Sequence, residues 1–119
     1  MSHKILIVDD DETILDVLQL LLEGEGYQVA AAAKMWDQRK LLEYHPDLIL
    51  LDIMLSGESG IEICKALKGQ ADTNAIPVIL ISAYANFRTP AHSSGADDFV
   101  AKPFDVDHLI SVVEKHLSA

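Results

Sequence analysis

Short, continuous apolar runs recur along the chain, and most of them end at a charged or hydroxyl-bearing residue. Such runs, alternating with segments of helical periodicity, predict buried strands of a parallel sheet whose two faces are both covered. The predicted strands are Lys4–Val8, Tyr27–Ala33, Leu48–Asp52, Pro77–Ile81 and Asp98–Ala101.

Helical periodicity of apolar residues fills most of the intervals between these runs. Asp11 occupies the N-cap position of the first predicted helix and Asp105 that of the last, where a carboxylate can accept hydrogen bonds from free amides. In the third helix we expect Ile63, Ala66 and Leu67 to face inward. The predicted helices are Thr13–Glu23, Trp36–Tyr44, Ile61–Lys68 and Val106–Leu117.

Pro90 disturbs the pattern of one further helix, between Ala83 and Ser94. Because proline has no N–H and its ring clashes with the preceding turn, it is tolerated mainly near the start of a helix. We therefore expect a short helix with Thr89 as N-cap and Pro90 as an early helical residue. The stretch 83–88 is then predicted to be a loop.

The strands and helices form a series of β–α units in one domain, residues 1–119, a length that supports one core and not two. Right-handed crossovers with helices on both faces predict a doubly wound α/β sheet of flavodoxin-like (βα)5 type, with strand order 2-1-3-4-5. The first and third strands are then neighbours, and a ligand site is expected in the crevice beyond their carboxyl ends.

Composition and charge narrow the possible functions. The net charge of −10 and a pI of about 4.6, without a Lys- or Arg-rich stripe, disfavour direct nucleic-acid binding. No apolar run approaches the roughly 18 residues that a membrane span requires. The single cysteine, Cys64, cannot form an internal disulfide, so we expect it to be a small core residue in a reducing, cytoplasmic compartment.

Acids and one ammonium group meet at the crevice in this strand order. Asp9 and Asp10 follow the first strand, Asp52 ends the third, and Lys102 follows the last. Three carboxylates repel one another, and one lysine does not neutralise them. Oxygen ligands without Cys or His suit Mg²⁺ rather than zinc, and a phosphate oxygen commonly completes the Mg²⁺ shell. One carboxylate then remains as a nucleophile towards phosphorus, and Asp52, alone at a central strand end, is the candidate.

Four segments resemble the receiver domain of two-component response regulators, in the order and at the spacing of that family. The resemblance runs from about Lys4 to the C-terminus and implies that Asp9 and Asp10 bind Mg²⁺. Asp52 is then both a metal ligand and the phosphoacceptor, and the backbone carbonyl of Met54 completes the metal site. The segments are Ile5–Glu12, Leu51–Leu55, Ser82–Ala83 and Gly95–Phe104.

The resemblance also implies catalytic and switch residues. Ser82 matches the hydroxyl that engages the phosphoryl group, and Lys102 matches the active-site lysine. Phe99 matches the aromatic switch position, whose rotamer follows the hydroxyl, and Lys102–Pro103 matches a cis peptide. Ser56 departs from the family, which usually has proline at this position, and we expect a looser loop as a result.

The implied function is that of a receiver accepting a phosphoryl group onto Asp52 from the phosphohistidine of a histidine kinase or a phosphotransfer protein. It would then switch a surface read by a downstream protein or a linked effector domain, as a monomer or a phosphorylation-dependent dimer. It would catalyse only its own phosphorylation and dephosphorylation, and would contact neither nucleic acid nor membrane. One alternative is a receiver-like adaptor that signals without phosphate, which the intact set of acids and lysine disfavours. Another is a phosphatase for external substrates, which would need a second acid that the sequence does not offer.

Overall fold

A five-stranded parallel sheet lies at the centre of this computed structural model, which describes residues 2–117. Its strands are β1 (Lys4–Val8), β2 (Gln28–Ala32), β3 (Leu48–Asp52), β4 (Val78–Ser82) and β5 (Asp98–Ala101). The order across the sheet is β2-β1-β3-β4-β5, and every neighbouring pair is parallel. This confirms the predicted doubly wound, flavodoxin-like arrangement.

Helices cover both faces of the sheet: α1 (Glu12–Gly24), α2 (Gln38–Tyr44), α3 (Gly60–Lys68), α4 (Arg88–Ser93) and α5 (Val106–Leu117). Because neighbouring residues of a strand point to opposite faces, each strand contributes to both apolar layers. Ile5 and Ile7 of β1 belong to the layer of α1 and α5, whereas Leu6 and Val8 belong to that of α2, α3 and α4. The strands are therefore continuous apolar runs rather than alternating ones. None of the helices within residues 2–117 is long and apolar enough to cross a membrane.

The start of α2 differs from the prediction, which placed it at Trp36. The helix begins at Gln38, because the carboxylate of Asp37 accepts the amide of Lys40 at 2.9 Å and makes Asp37 the N-cap. Trp36 lies before the helix, where its ring meets that of Tyr44 edge-on at 5.4 Å between centroids. The corresponding cap of α1 was predicted correctly, since Asp11 accepts amides of the first turn.

The buried face of α3 consists of Ile61, Cys64 and Leu67, together with Gly60 at its start. These residues recur every three positions and so share one side of the helix. Ala66 lies on another side and is exposed, so the prediction that it faces inward was wrong. The prediction of Cys64 as a core residue is confirmed, since its side chain is fully buried.

The short helix predicted around Pro90 is confirmed, but its start is not where we expected it. A 3₁₀ turn, Ala85–Phe87, leads directly into α4, and Pro90 is the third residue of that helix. Thr89 is therefore not the N-cap; Phe87 occupies that position without a side-chain hydrogen bond. The preceding 3₁₀ turn already has near-helical geometry, so the chain enters α4 without a capping side chain.

Between β3 and α3 the chain forms a tight hairpin instead of an open loop. Met54–Leu55 pairs antiparallel with Glu58–Ser59, and Ser56 and Gly57 make the turn. Gly57 has a φ of 77°, a conformation that glycine adopts without strain. The hairpin brings Ser56 into contact with the residues that follow β1.

Candidate functional site

The register of the central strands brings the two buried acids together. β1 and β3 pair as parallel neighbours up to Val8 and Leu51, so Asp9 and Asp52 are the next residues on adjacent strands. Lys102, the residue after β5, reaches back to the same edge of the sheet. The crevice beyond the carboxyl ends of β1 and β3 therefore collects the charges that the strand order predicted.

Asp9, Asp10 and Asp52 form a cluster in which one carboxylate oxygen of each lies within 4.8 Å of the others. Asp9 and Asp52 are buried, with 1% and 6% of their surface exposed, whereas Asp10 is exposed. A donor set made of carboxylates alone suits a hard divalent cation such as Mg²⁺. The cluster thus fits the ion that the sequence predicted for these residues.

Lys102 bridges the two buried acids. Its Nζ lies 2.8 Å from Asp9 Oδ2 and 3.3 Å from Asp52 Oδ2. Burial alone would lower the pKa of Lys102, but the hydrogen bond to Asp9 and the charges of both acids outweigh burial and raise the pKa. The side chain is therefore held as an ammonium ion between two carboxylates.

The pKa of the Asp52 carboxyl is raised above its ordinary value. Burial is the largest cause, and the neighbouring charge of Asp9 adds to it. The ammonium of Lys102 and the amide of Met54, which donates to Asp52 Oδ1 at 3.2 Å, oppose the rise without cancelling it. Three carboxylates face one ammonium group here, and a divalent cation would relieve the remaining negative charge.

The remaining predicted site residues lie on β4, on β5 and in the hairpin. Ser82 is buried at the end of β4, and its Oγ accepts the amide of Tyr84 at 3.0 Å. Phe99 of β5 is 6% exposed and belongs to the apolar layer that α4 joins. The side chain of Met54, at the start of the hairpin, is half exposed. The Lys102–Pro103 peptide bond is cis, as predicted.

Two residues that the sequence did not assign to the site touch it. Ser56 donates to Asp10 Oδ2 from its amide at 3.0 Å and from its hydroxyl at 2.8 Å, so this position fastens the loop instead of loosening it. Gly60 packs on β3, where a Cβ would collide with the carbonyl oxygen of Asp52 and lie 2.7 Å from Ile53 Cα. The signals in the sequence were slight: a serine where the family resemblance implies a proline, and a glycine before a helical pattern.

A doubly wound sheet with an acidic crevice at the carboxyl ends of its central strands defines a class of α/β proteins with their site at the topological switch point. Residues 5–114 match the family model described as the response regulator receiver domain. This match covers most of the chain, and the protein belongs to the response regulator receiver family. The resemblance noted in its sequence motifs is thereby confirmed.

Individual relatives agree with this assignment. The chain is similar to the phosphate regulon transcriptional regulatory protein PhoB of Rhizobium meliloti (strain 1021), with 37% identity over 120 residues, 98% of this chain and 53% of that protein. It therefore spans about half the length of this relative. A putative response regulator from Chloroflexus aurantiacus J-10-fl superimposes with a TM-score of 0.93 and 30% identity, over 100% of both chains. The BeF3-activated DrrB receiver domain superimposes with a TM-score of 0.82 and 30% identity, over 98% of each chain.

Proposed function

We propose that this receiver domain accepts a phosphoryl group on Asp52 from the phosphohistidine of a histidine kinase or a phosphotransfer protein. The observation that carries the proposal is the position of Asp52, buried at the end of a central strand between an acidic pair and Lys102. Residues 1–119 would act as one receiver unit, and its catalysis would be limited to its own phosphorylation and dephosphorylation.

The chain supplies the nucleophile and two groups for the incoming charge. A carboxylate oxygen of Asp52 forms the new O–P bond while the P–N bond to the donor histidine breaks and the imidazole leaves. Lys102 neutralises charge on the phosphoryl oxygens, and the Ser82 hydroxyl donates a hydrogen bond to one of them. Ser82 ends β4 and Lys102 follows β5, so both lie at the same carboxyl edge of the sheet as Asp52.

Magnesium would be held by the acidic cluster of Asp9, Asp10 and Asp52, with the backbone carbonyl of Met54. When bound, Mg²⁺ supplies the positive charge that offsets repulsion between the carboxylates and the incoming phosphoryl group. The make-up of the cluster supports this requirement, because three carboxylates face the single ammonium group of Lys102.

Phosphorylation would act as a switch through Ser82 and Phe99. A phosphoryl group adds about −1.5 to −2 charges, which draws the hydroxyl of Ser82 and the ammonium of Lys102 towards it. Because Ser82 Oγ also accepts a hydrogen bond from the amide of Tyr84, a movement of Ser82 would displace the segment before α4. The resulting population shift would change a surface read by a downstream protein or effector domain, not by nucleic acid.

Labelling with a small phosphodonor tests the proposal. With Mg²⁺ and acetyl phosphate, we expect the protein to gain one acid-stable, base-labile phosphoryl group, visible by intact mass. Asp52→Asn should abolish it, whereas Asp11→Asn, which removes a nearby charge but retains a capping side chain, should not. Persistent labelling of Asp52→Asn would refute the assignment of the acceptor. A wild type that neither gains the group nor responds to Mg²⁺ would favour the phosphate-independent adaptor.

A further inference from the structure

The carboxylate of Asp10 is held by a single residue of the hairpin. Ser56 donates to Asp10 Oδ2 twice, from its amide at 3.0 Å and from its hydroxyl at 2.8 Å. The two residues are 46 positions apart in the chain, and the contact exists because the turn at Ser56 folds back over the end of β1.

The other acids of the cluster are fixed in a different way. Asp9 accepts the amide of Asp11 and the ammonium of Lys102, and Asp52 accepts the amide of Met54 and the same ammonium. Asp10 is the exposed member, and within residues 2–117 the hydrogen bonds to its carboxylate come from Ser56. Without them, no other hydrogen bond within residues 2–117 would orient this carboxylate.

We propose that Ser56 is a positioning residue for the metal site: it fixes the Asp10 carboxylate in the orientation in which it can bind a divalent cation. This inference rests on the proposed function, in which Asp10 is a metal ligand. A carboxylate that is already ordered loses less conformational freedom when it binds an ion. Hydrogen-bonded partners of metal ligands typically raise metal affinity about 10- to 100-fold.

Whether the hydrogen bonds to the Asp10 carboxylate can form depends on the residue at position 56. Proline, the residue that the family usually has here, has neither an amide hydrogen nor a hydroxyl, so it could make neither bond. Alanine retains the amide and loses only the hydroxyl. Threonine retains both donors. The three substitutions therefore leave none, one or both of the two hydrogen-bond donors at position 56, and they do not alter any carboxylate of the cluster.

The test is the dissociation constant for Mg²⁺, measured by calorimetry on the unphosphorylated protein. We expect Ser56→Ala to raise the Kd about tenfold, at the lower end of the range for partners of metal ligands. Ser56→Pro should raise it further, and Ser56→Thr should keep it close to the wild-type value. Ser59→Ala is the matched control, because Ser59 lies in the same hairpin but its hydroxyl caps α3 through the amide of Glu62.

A second measurement separates positioning from a general loss of stability. In metal-free protein, Ser56→Ala should lower the melting temperature, and the same change should have no effect in an Asp10→Ala background, where the partner is gone. An unchanged or lower Kd for Mg²⁺ in Ser56→Ala would overturn the inference, and so would an equal rise of the Kd in Ser59→Ala. Neither result would contradict Mg²⁺ binding by the wild type. A wild type that does not bind Mg²⁺ would overturn both this inference and the proposed function.

Discussion

The guanidinium group of Arg88 lies over the ring of Phe99, with 4.7 Å between Cζ and the ring centroid. Arg88 is the first residue of α4 and Phe99 lies in β5, so the contact joins the start of an uncapped helix to the edge of the sheet. A cation over an aromatic face is attracted by the ring quadrupole. The pair therefore holds Phe99, the residue proposed for the switch, against the first residue of α4.

Removing this cation should loosen the contact. We expect Arg88→Ala to lower the free energy of unfolding by about 0.5–1 kcal/mol, the usual strength of an exposed cation–π pair. Urea denaturation measures the change, and NMR of the Phe99 ring reports whether its rotamer becomes mobile. Arg39→Ala is the charge-matched control, because the ion pair of Arg39 within residues 2–117 is an exposed one, with Glu43 on α2. If both variants behaved alike, the Arg88 contact would have no specific role.

The strands could be predicted from the sequence because a strand that is buried on both faces has an uninterrupted run of apolar residues. β1, β3 and β5 have the predicted bounds, and the order of the sheet followed from the handedness of the connections. The position of Asp9 beside Asp52 followed from that order. These features depend on patterns spread over whole segments, so no single side chain could alter them.

Two features that the sequence did not predict depend on a single side chain that accepts or donates hydrogen bonds. α2 starts at Gln38 because the Asp37 carboxylate accepts a hydrogen bond from the amide of Lys40. The periodicity of apolar residues does not predict this capping interaction. The contact of Ser56 with Asp10 depends on a turn in one segment and a strand end in another, so the sequence around neither residue predicts it. Short-range patterns thus predict the scaffold of the site, but not the hydrogen bonds that orient its side chains.

Gly60 should tolerate no side chain. A Cβ would collide with the carbonyl oxygen of Asp52 and lie 2.7 Å from Ile53 Cα, so α3 must move away from β3. We expect Gly60→Ala to destabilise the fold by about 1–3 kcal/mol, as overpacking does, and to slow labelling of Asp52 by acetyl phosphate. Gly24→Ala is the control, since a Cβ at this helical position meets nothing within 4 Å. Equal stability of the two variants in urea would contradict the close packing at Gly60.

Magnesium should stabilise the folded protein by mass action. At a free concentration a hundredfold above the Kd, the expected gain is about 2.7 kcal/mol, because only the folded chain assembles the cluster. Asp10→Ala should abolish the rise in melting temperature, and Asp11→Asn should leave it intact. Calorimetric melts with increasing Mg²⁺ make the comparison. A rise of equal size in Asp10→Ala would exclude Asp10 as a ligand.

The pair formed by Asp98 and His116 should make stability depend on pH. Burial alone would raise the pKa of Asp98, but hydrogen bonds from His116, at 3.1 Å, and from the Phe99 amide outweigh burial and lower it. A lowered pKa means that the unfolded chain binds the proton more tightly, so stability increases with pH across the interval between the two values. The contribution of Asp98 is therefore complete above its unfolded pKa of about 3.9 and is lost as the pH falls through the lower folded value.

The variant Asp98→Asn measures this contribution. In urea melts, its deficit relative to wild type should be present at about pH 5 and shrink below about pH 4. Asp72→Asn, which removes an exposed acid from the loop before β4, controls for net charge. A deficit that did not change as Asp98 became protonated would mean that the pair contributes through packing and not through charge.

The segment from Ala83 to Ser94 should be the part of the molecule that responds most to phosphorylation. α4 has six residues, no side-chain cap at its start and Pro90 within its first turn, and helices this short are marginal unless packing supports them. We expect its amides to exchange rapidly in the free protein. A phosphoryl group on Asp52 should draw the Ser82 hydroxyl, whose oxygen holds the amide of Tyr84, and so order the segment that follows.

Hydrogen exchange with and without a beryllofluoride mimic on Asp52 measures this response. The expected result is slower exchange across residues 83–94 in the presence of the mimic and Mg²⁺. The amides of α5 serve as the internal reference, because the buried face of that helix packs against the sheet. The same comparison in Ser82→Ala should lose most of the slowing, since the hydroxyl is the proposed link. Strong and equal protection of residues 83–94 in both states would identify a rigid segment and exclude this coupling.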